Sequence, residues 1–236
     1  MADERILMIT GGSSGIGSET ARHAVRAGYR LALGARRLGP IEELAAELGE
    51  GKATAVSCDV AEWEQVQAFV NTTIETFGHI DAVFANAGVG AASGLMEDSV
   101  ENWRSMVLTN VYGTALTVRA ALPHLLERGT GHVLITSSVA GRRVVAGSLY
   151  SVTKWATTAL AEALRLELRE VHGNTAIKVT VIAPGVVETP FFDSIGAPPW
   201  AGLQPADVAR AVVYALEQPG HVDVSEMLIR PTTQAF

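Results

Sequence analysis

The chain has 236 residues, of which 48% are apolar and 18% charged, with a net charge of −7 and a single cysteine, Cys58. This content supports a buried core and excludes a disordered chain, the acidic balance disfavours nucleic acid and anionic membrane surfaces as partners, and one cysteine excludes an internal disulfide. No apolar run reaches the ~20 residues of a membrane span. Acidic residues among Met1–Arg5, where a signal peptide carries basic ones, point to a cytoplasmic protein of one domain over 1–236.

In chain order, the apolar run Arg5–Thr10 predicts a buried strand. It enters a glycine turn, Gly11 to Gly17, followed by a helix over Ser18–Ala27. Strand, glycine turn and helix open a dinucleotide-binding unit, in which a pyrophosphate lies on backbone amides at a helix N-terminus. The residues offered to it are Gly11, Ser13, Ser14, Gly15, Ile16 and Gly17. Tyr29–Gly34 is a second strand. Beyond its end a ribose-binding acid is expected if the cofactor is NAD(H); the chain has Arg36 and Arg37 instead. Guanidinium groups grip a 2′-phosphate that a carboxylate would repel, which favours NADP(H).

A helix over Ile41–Leu48, a strand over Ala53–Cys58, a helix over Ala61–Phe77 and a strand over Ile80–Ala85 follow, the last ending in Asn86-Ala87-Gly88. Cys58 reads as a small buried hydrophobe. Ser99–Leu126 is mostly helical and holds Asn110 and Gly113 in its interior, where both cost stability; an inward asparagine must find polar partners. Gly131–Ser137 is a strand leading to Ser138 and Val139, Leu149–Val171 a helix, Ala176–Ala183 a strand ending in Pro184-Gly185-Val186-Val187-Glu188-Thr189, Gln204–Glu217 a helix and Val222–Ile229 the last strand. Short strands alternating with helices predict a parallel sheet with helices on both faces. The one loose stretch, Pro190–Leu203, carries Phe191, Phe192 and Trp200. Each polar feature falls beyond a strand's C-terminal end, where open α/β sheets bind ligands.

Tyr150 and Lys154 stand one helical turn apart. A nearby cation favours phenolate, so Lys154 is expected to lower the phenol's pKa from about 10. A phenol so tuned exchanges protons with a carbonyl or alcohol oxygen, with Ser138 holding the same oxygen. Pairs at this spacing also occur on solvated helix faces, and the weight rests on the surrounding motifs.

Together, Thr10-Gly11-x-x-x-Gly15-x-Gly17, Asp59, Asn86-Ala87-Gly88, Asn110, Ser138, Tyr150-x-x-x-Lys154 and Pro184-Gly185 resemble the short-chain dehydrogenase/reductase family, from Ile6 to nearly the end of the chain. The resemblance implies a Rossmann-type, doubly wound, seven-stranded sheet in the order 3-2-1-4-5-6-7 and a homotetramer or homodimer. It implies Tyr150 as the proton donor in reduction and Lys154 as a ribose contact and pKa modulator. It further implies Ser138 as the substrate-orienting serine and Asn110 as holding a water in a proton relay. Asp59 and Val60 would meet adenine, Asn86 and Ala87 the ribose, with Gly88 keeping the channel open. Pro184, Gly185, Val187 and Thr189 would border the nicotinamide. Two departures stand out. Ala85 replaces the first asparagine of an Asn-Asn-Ala-Gly motif. The serine-to-tyrosine interval is one residue short, so spacing selects Ser137 whereas the following Val139-Ala140-Gly141 selects Ser138; Ser138 is preferred.

The expected activity is NADPH-dependent reduction of ketones or aldehydes, reversible as alcohol oxidation. A reductase of carrier-bound 3-oxoacyl chains, or a cofactor-binding regulator without turnover, are the alternatives. The substrate pocket is expected among Ser138, Val139, Tyr150, Val186, Phe191, Phe192 and Trp200, with Arg142 and Arg143 close enough to meet an acidic substrate or else simply solvated.

Overall fold

The apolar runs become seven parallel strands: β1 (Arg5–Thr10), β2 (Tyr29–Ala35), β3 (Ala53–Ser57), β4 (Ala82–Ala85), β5 (Gly131–Thr136), β6 (Ile177–Pro184) and β7 (Glu226–Ile229). In the computed structural model, which describes residues 4–90, 94–192, 196 and 201–234, they pair in the order β3-β2-β1-β4-β5-β6-β7. The expected order is therefore borne out. Between them run the helices α1 (Gly15–Arg26), α2 (Leu38–Leu48), α3 (Trp63–Phe77), α4 (Val100–Met106), α5 (Thr114–Arg128), α6 (Leu149–Glu170) and α7 (Pro205–Leu216).

Two cores flank the sheet, because successive strand residues point to opposite faces. Leu7 and Ile9 of β1 pack with Ala21 of α1, Ile41 of α2 and Val212 of α7. Met8, between them in sequence, packs with Phe69 of α3, Leu125 of α5 and Leu164 of α6. Fixing the sheet between two helical layers brings its C-terminal strand ends to one side, where the site is assembled.

Element ends depart from the sequence reading for local reasons. The first helix begins at Gly15, inside the glycine turn. Helix α2 begins at Leu38 despite Pro40, since first-turn amides need no intrahelical partner. Strand β4 begins at Ala82, the Ile80 amide being taken by His124 Nε2 at 3.0 Å. Strand β7 begins at Glu226, with the Asp223 carboxylate accepting from the Val179 amide in place of a backbone partner. The largest departure is in Ser99–Leu126. It is not one α-helix: between α4 and α5 lies a π-helical segment, Val107–Gly113, with Asn110 at its middle.

Candidate active site

A cleft of ≈ 1080 Å³ opens at the C-terminal ends of the strands. The turn after β1 forms one wall. Gly11 and Gly15 there have φ of 68° and 55°, a region that glycine adopts without the Cβ penalty. At Gly15 a Cβ would also meet Thr189 Cγ2 at 2.9 Å. Ser14 is the N-cap of α1, yet its side chain makes no capping bond; the first amides of α1 are left for an anion. Ser13, Ser14, Gly15 and Ile16 all line the cleft. Gly17 does not: it is buried, and a Cβ there would collide with Gly11 O and Asn86 Nδ2. Its place in the motif is close packing of helix against turn, not contact with a ligand.

The next strand ends complete that wall. Arg36 and Arg37, between β2 and α2, are exposed and line the cleft. Cys58, Asp59 and Val60 line it beyond β3, and Asn86, Ala87 and Gly88 beyond β4. Asn86 is fixed by donating Nδ2 to Thr10 O and Gly11 O, 3.3 Å each, and by accepting from Thr136 Oγ1 at 3.1 Å. Burial pushes the Cys58 thiol up to about 12, which keeps it unreactive. These residues fit a dinucleotide: a side-chain-free cradle for phosphates, cations at the end of the second strand, and a floor held from behind.

The opposite wall carries the polar group expected to do chemistry. Ser138, at the end of β5, is buried; its Oγ accepts from the Ala140 amide at 3.1 Å and donates to Pro184 O at 3.3 Å. It also stands close enough to the Tyr150 side chain to pull the phenol's pKa down. Ser137 points away, bonding Lys154 O at 3.0 Å and Thr158 Oγ1 at 2.9 Å on α6. The structure thus brings Ser138, not Ser137, to Tyr150. Lys154 is buried, with Nζ donating to Thr136 O at 2.9 Å and lying 5.5 Å from the centre of the Tyr150 ring.

The expected lowering of the phenol's pKa is reversed. Removal from water pushes Tyr150 up to about 12 despite Ser138, and the same cause brings Lys154 down to about 8. Desolvation penalises each charged form, and the ammonium is committed to Thr136 O. Near neutral pH Tyr150 is a protonated donor.

Asn110 does not line the cleft. It is 1% exposed, and its side chain is fully used: Oδ1 accepts from the Val89 amide at 2.9 Å, while Nδ2 donates to Val89 O at 2.9 Å and Thr153 Oγ1 at 3.1 Å. It ties the chain after β4 to α6. A Cβ on Gly88 would stand 3.4 Å from Asn110 Oδ1 and 3.7 Å from Lys154 Nζ, so these three groups meet at the back of the cleft. Gly113 lets the π-helical segment sit on Val60, whose Cγ2 would be 2.5 Å from an added Cβ.

Pro184, Gly185, Val186, Val187 and Thr189 line the cleft after β6, with Val139, Phe191 and Phe192 nearby. Phe191 meets the Tyr150 ring edge-on at 5.6 Å, and Phe192 meets Phe191 at 5.3 Å. A bridge between Val187 and Leu203 closes the base of this loop, reinforced by Glu188, which accepts from Gly202 N and Gln204 Nε2. Trp200 lies outside the described residues. Arg142 is withdrawn from any substrate: its guanidinium binds both oxygens of Glu226 on β7, at 2.6 and 2.7 Å. Neither Arg142 nor Arg143 lines the cleft. Sequence reasoning missed Asn102, Ser105, Thr109, Val145, Ser148 and Gln234, all on the cleft. The first three recur at helical spacing as a polar stripe, a readable signal; Gln234, near the end of the chain, offered none.

Comparison with known proteins agrees with this fold. A family model described as short chain dehydrogenase matches residues 5–199. An uncharacterized oxidoreductase of Staphylococcus aureus (strain MW2) is 35% identical over 229 residues, covering 97% of each chain. An alcohol dehydrogenase from Thermococcus sibiricus, solved with 5-hydroxy-NADP, superposes with a TM-score of 0.88 at 35% identity, over 98% of this chain and 97% of its own. A serine dehydrogenase from Escherichia coli does so with a TM-score of 0.87 at 29% identity, over 98% of this chain and 100% of its own.

Proposed function

The chain belongs to the short-chain dehydrogenase family, an oxidoreductase family acting between CH–OH and C=O, and on that premise we propose that it is an NADPH-dependent carbonyl reductase, reversible as an alcohol dehydrogenase. The observation that carries this reading is the Tyr150 phenol, kept protonated by burial and set beside Ser138 on the cleft.

When bound, the dinucleotide supplies or accepts the hydride. The protein's own groups handle the proton and the oxygen. Tyr150 Oη gives its proton to the carbonyl oxygen, and the Ser138 hydroxyl holds that oxygen in place and stabilises the charge growing on it. Lys154, anchored on Thr136 O, sets a positive charge next to the phenol as the proton leaves. Asn110 is a positioning residue that locks α6 against the chain after β4. Asp59 and Val60 border the adenine, Asn86 and Ala87 the ribose, and Pro184, Gly185, Val187 and Thr189 the nicotinamide. Val139, Val186, Phe191 and Phe192 surround the substrate.

Preference for NADP(H) rests on Arg36 and Arg37, both exposed on the cleft wall at the end of β2, where no carboxylate stands. In kcat/KM, NADPH should exceed NADH by at least about tenfold, and Arg36→Asp should remove that advantage. Better turnover with NADH by the wild type would overturn the role of Arg36.

One sheet carries both cofactor wall and catalytic wall, so 1–236 acts as a single domain. Among the described residues no helix is long and apolar enough to cross a membrane; action on a small molecule, in the cytoplasm, is part of the proposal. The exposed Val107, Tyr112, Val152 and Trp155 on the π-helical segment and α6 support assembly as a homotetramer or homodimer.

A further inference from the structure

The last described residue of the chain reaches into the cleft. Gln234 closes a turn with Pro231, its amide donating to Pro231 O at 3.0 Å. It is 7% exposed and lines the cleft. Its Oε1 accepts from the Val186 amide at 3.0 Å. An N–H requires an acceptor, so this bond fixes which way the side-chain amide faces and turns Nε2 away from Val186. No partner for Nε2 is present among the described residues, although the rest of the side chain is packed so closely on Gly185 that a Cβ there would collide with it. With its oxygen end held and its nitrogen end on the cleft, this amide has two N–H donors available to a molecule bound there.

The surroundings define what that acceptor belongs to. The charged side chains on the cleft, among the described residues, are Arg36, Arg37, Asp59 and Lys154. The first three stand on the wall assigned to the dinucleotide, and Lys154 is bonded to Thr136 O. Around Ser138 and Tyr150 the lining is instead Val139, Val186, Phe191 and Phe192, with neutral polar groups between. Among the described residues no cation besides Lys154 lies there to meet a carboxylate, Arg142 being held by Glu226.

We propose that Gln234 is a specificity-determining residue that donates from Nε2 to a second oxygen of an uncharged carbonyl substrate, selecting diketones, hydroxyketones or keto esters whose apolar part packs on Phe191 and Phe192. This rests on the reductase reading of the same site. The substrate's reacting carbonyl is held by Ser138 and Tyr150, its second oxygen by Gln234, and a charged acid has no counterpart at that end.

The test compares propiophenone with 1-phenylpropane-1,2-dione and ethyl 3-oxo-3-phenylpropanoate, which add a second oxygen at two distances. Gln234→Glu keeps an acceptor for the Val186 amide and removes the donor. The ratio of kcat/KM for the better two-oxygen substrate over propiophenone should fall by at least about tenfold in Gln234→Glu, with the NADPH dissociation constant, read by fluorescence, within about threefold of wild type. An unchanged ratio overturns the proposal while leaving the reductase reading intact. A loss of more than about tenfold in NADPH affinity with no change in ratio assigns Gln234 to the cofactor instead and also overturns it. Propiophenone and its relatives all going unreduced by the wild type, with NADPH bound, would bring down the reductase reading and this proposal together.

Discussion

Tyr150 and Lys154 show how one residue pair reconciles chemistry with burial. Both lie where their charged forms are penalised, the phenol being pushed up to about 12 and the amine brought down to about 8. The phenol is thereby a ready acid in the reducing direction at neutral pH, while alcohol oxidation needs it deprotonated and should gain with rising pH. The amine carries a cost. Below pH 8 it is charged in the folded chain as in the unfolded one, and the folded state bears the burial penalty. As pH rises from 8 toward its ordinary 10.5, the folded amine is neutral while the unfolded one still holds its proton, and stability rises relative to lower pH. Lys154→Met should therefore fold more stably than wild type at pH 7, by about 1–2 kcal/mol after loss of the bond to Thr136 O, and be nearly inactive. Thermal unfolding at pH 7 checks the sign, and the difference should shrink above pH 10.5. A variant less stable at pH 7 would show that the ammonium is better solvated than its surroundings indicate.

At the scale of elements, the π-helical segment between α4 and α5 is the feature that places the site. A run of i→i+5 bonds inside a helix is costly and is retained where a side chain must be aimed. Here it aims Asn110 across to Val89 and Thr153. Asn110→Ala strands the Val89 amide and carbonyl, while the Thr153 hydroxyl keeps its bond to Tyr150 O, and should cost about 2–3 kcal/mol in chemical denaturation. The same change should weaken NADPH binding, because Gly88 and Lys154 are set by that junction. A cost below about 0.5 kcal/mol would mean that water replaces the amide without loss.

Across the whole molecule, the fold was legible because alternation of short apolar strands with amphipathic helices has one common solution, and because glycines at Gly11 and Gly15 and the cations after β2 sit at strand ends. What was not legible depended on contacts distant in sequence. Gln234 meets Val186 across 48 positions, and Gly113 of the π-helical segment packs on Val60, 53 positions away. The phenol's direction of shift was misjudged for a related reason: spacing locates a cation, whereas burial depends on everything packed around it. A second buried titratable group shapes the stability of the whole. His132 on β5 shares a 2.7 Å bond with Thr180 on β6 through Nε2, its Nδ1 has no partner among the described residues, and burial brings its pKa from an ordinary 6.5 down to about 3. The folded chain keeps His132 neutral while the unfolded chain protonates it, so stability present above pH 6.5 is lost as pH falls toward 3, by about 1.4 kcal/mol per pH unit from this group. His132→Leu should flatten the acid limb of a stability–pH curve by that slope; an unchanged limb would assign it to other groups.

The reaction itself turns on one hydroxyl. Reduction of an aryl ketone by NADPH, followed as loss of NADPH absorbance in wild type and Tyr150→Phe with cofactor affinity measured alongside, tests it most directly. The account predicts a fall in kcat of about 10²–10⁴-fold with NADPH binding nearly unchanged. Tyr150→Phe that keeps more than about a tenth of wild-type turnover would contradict it.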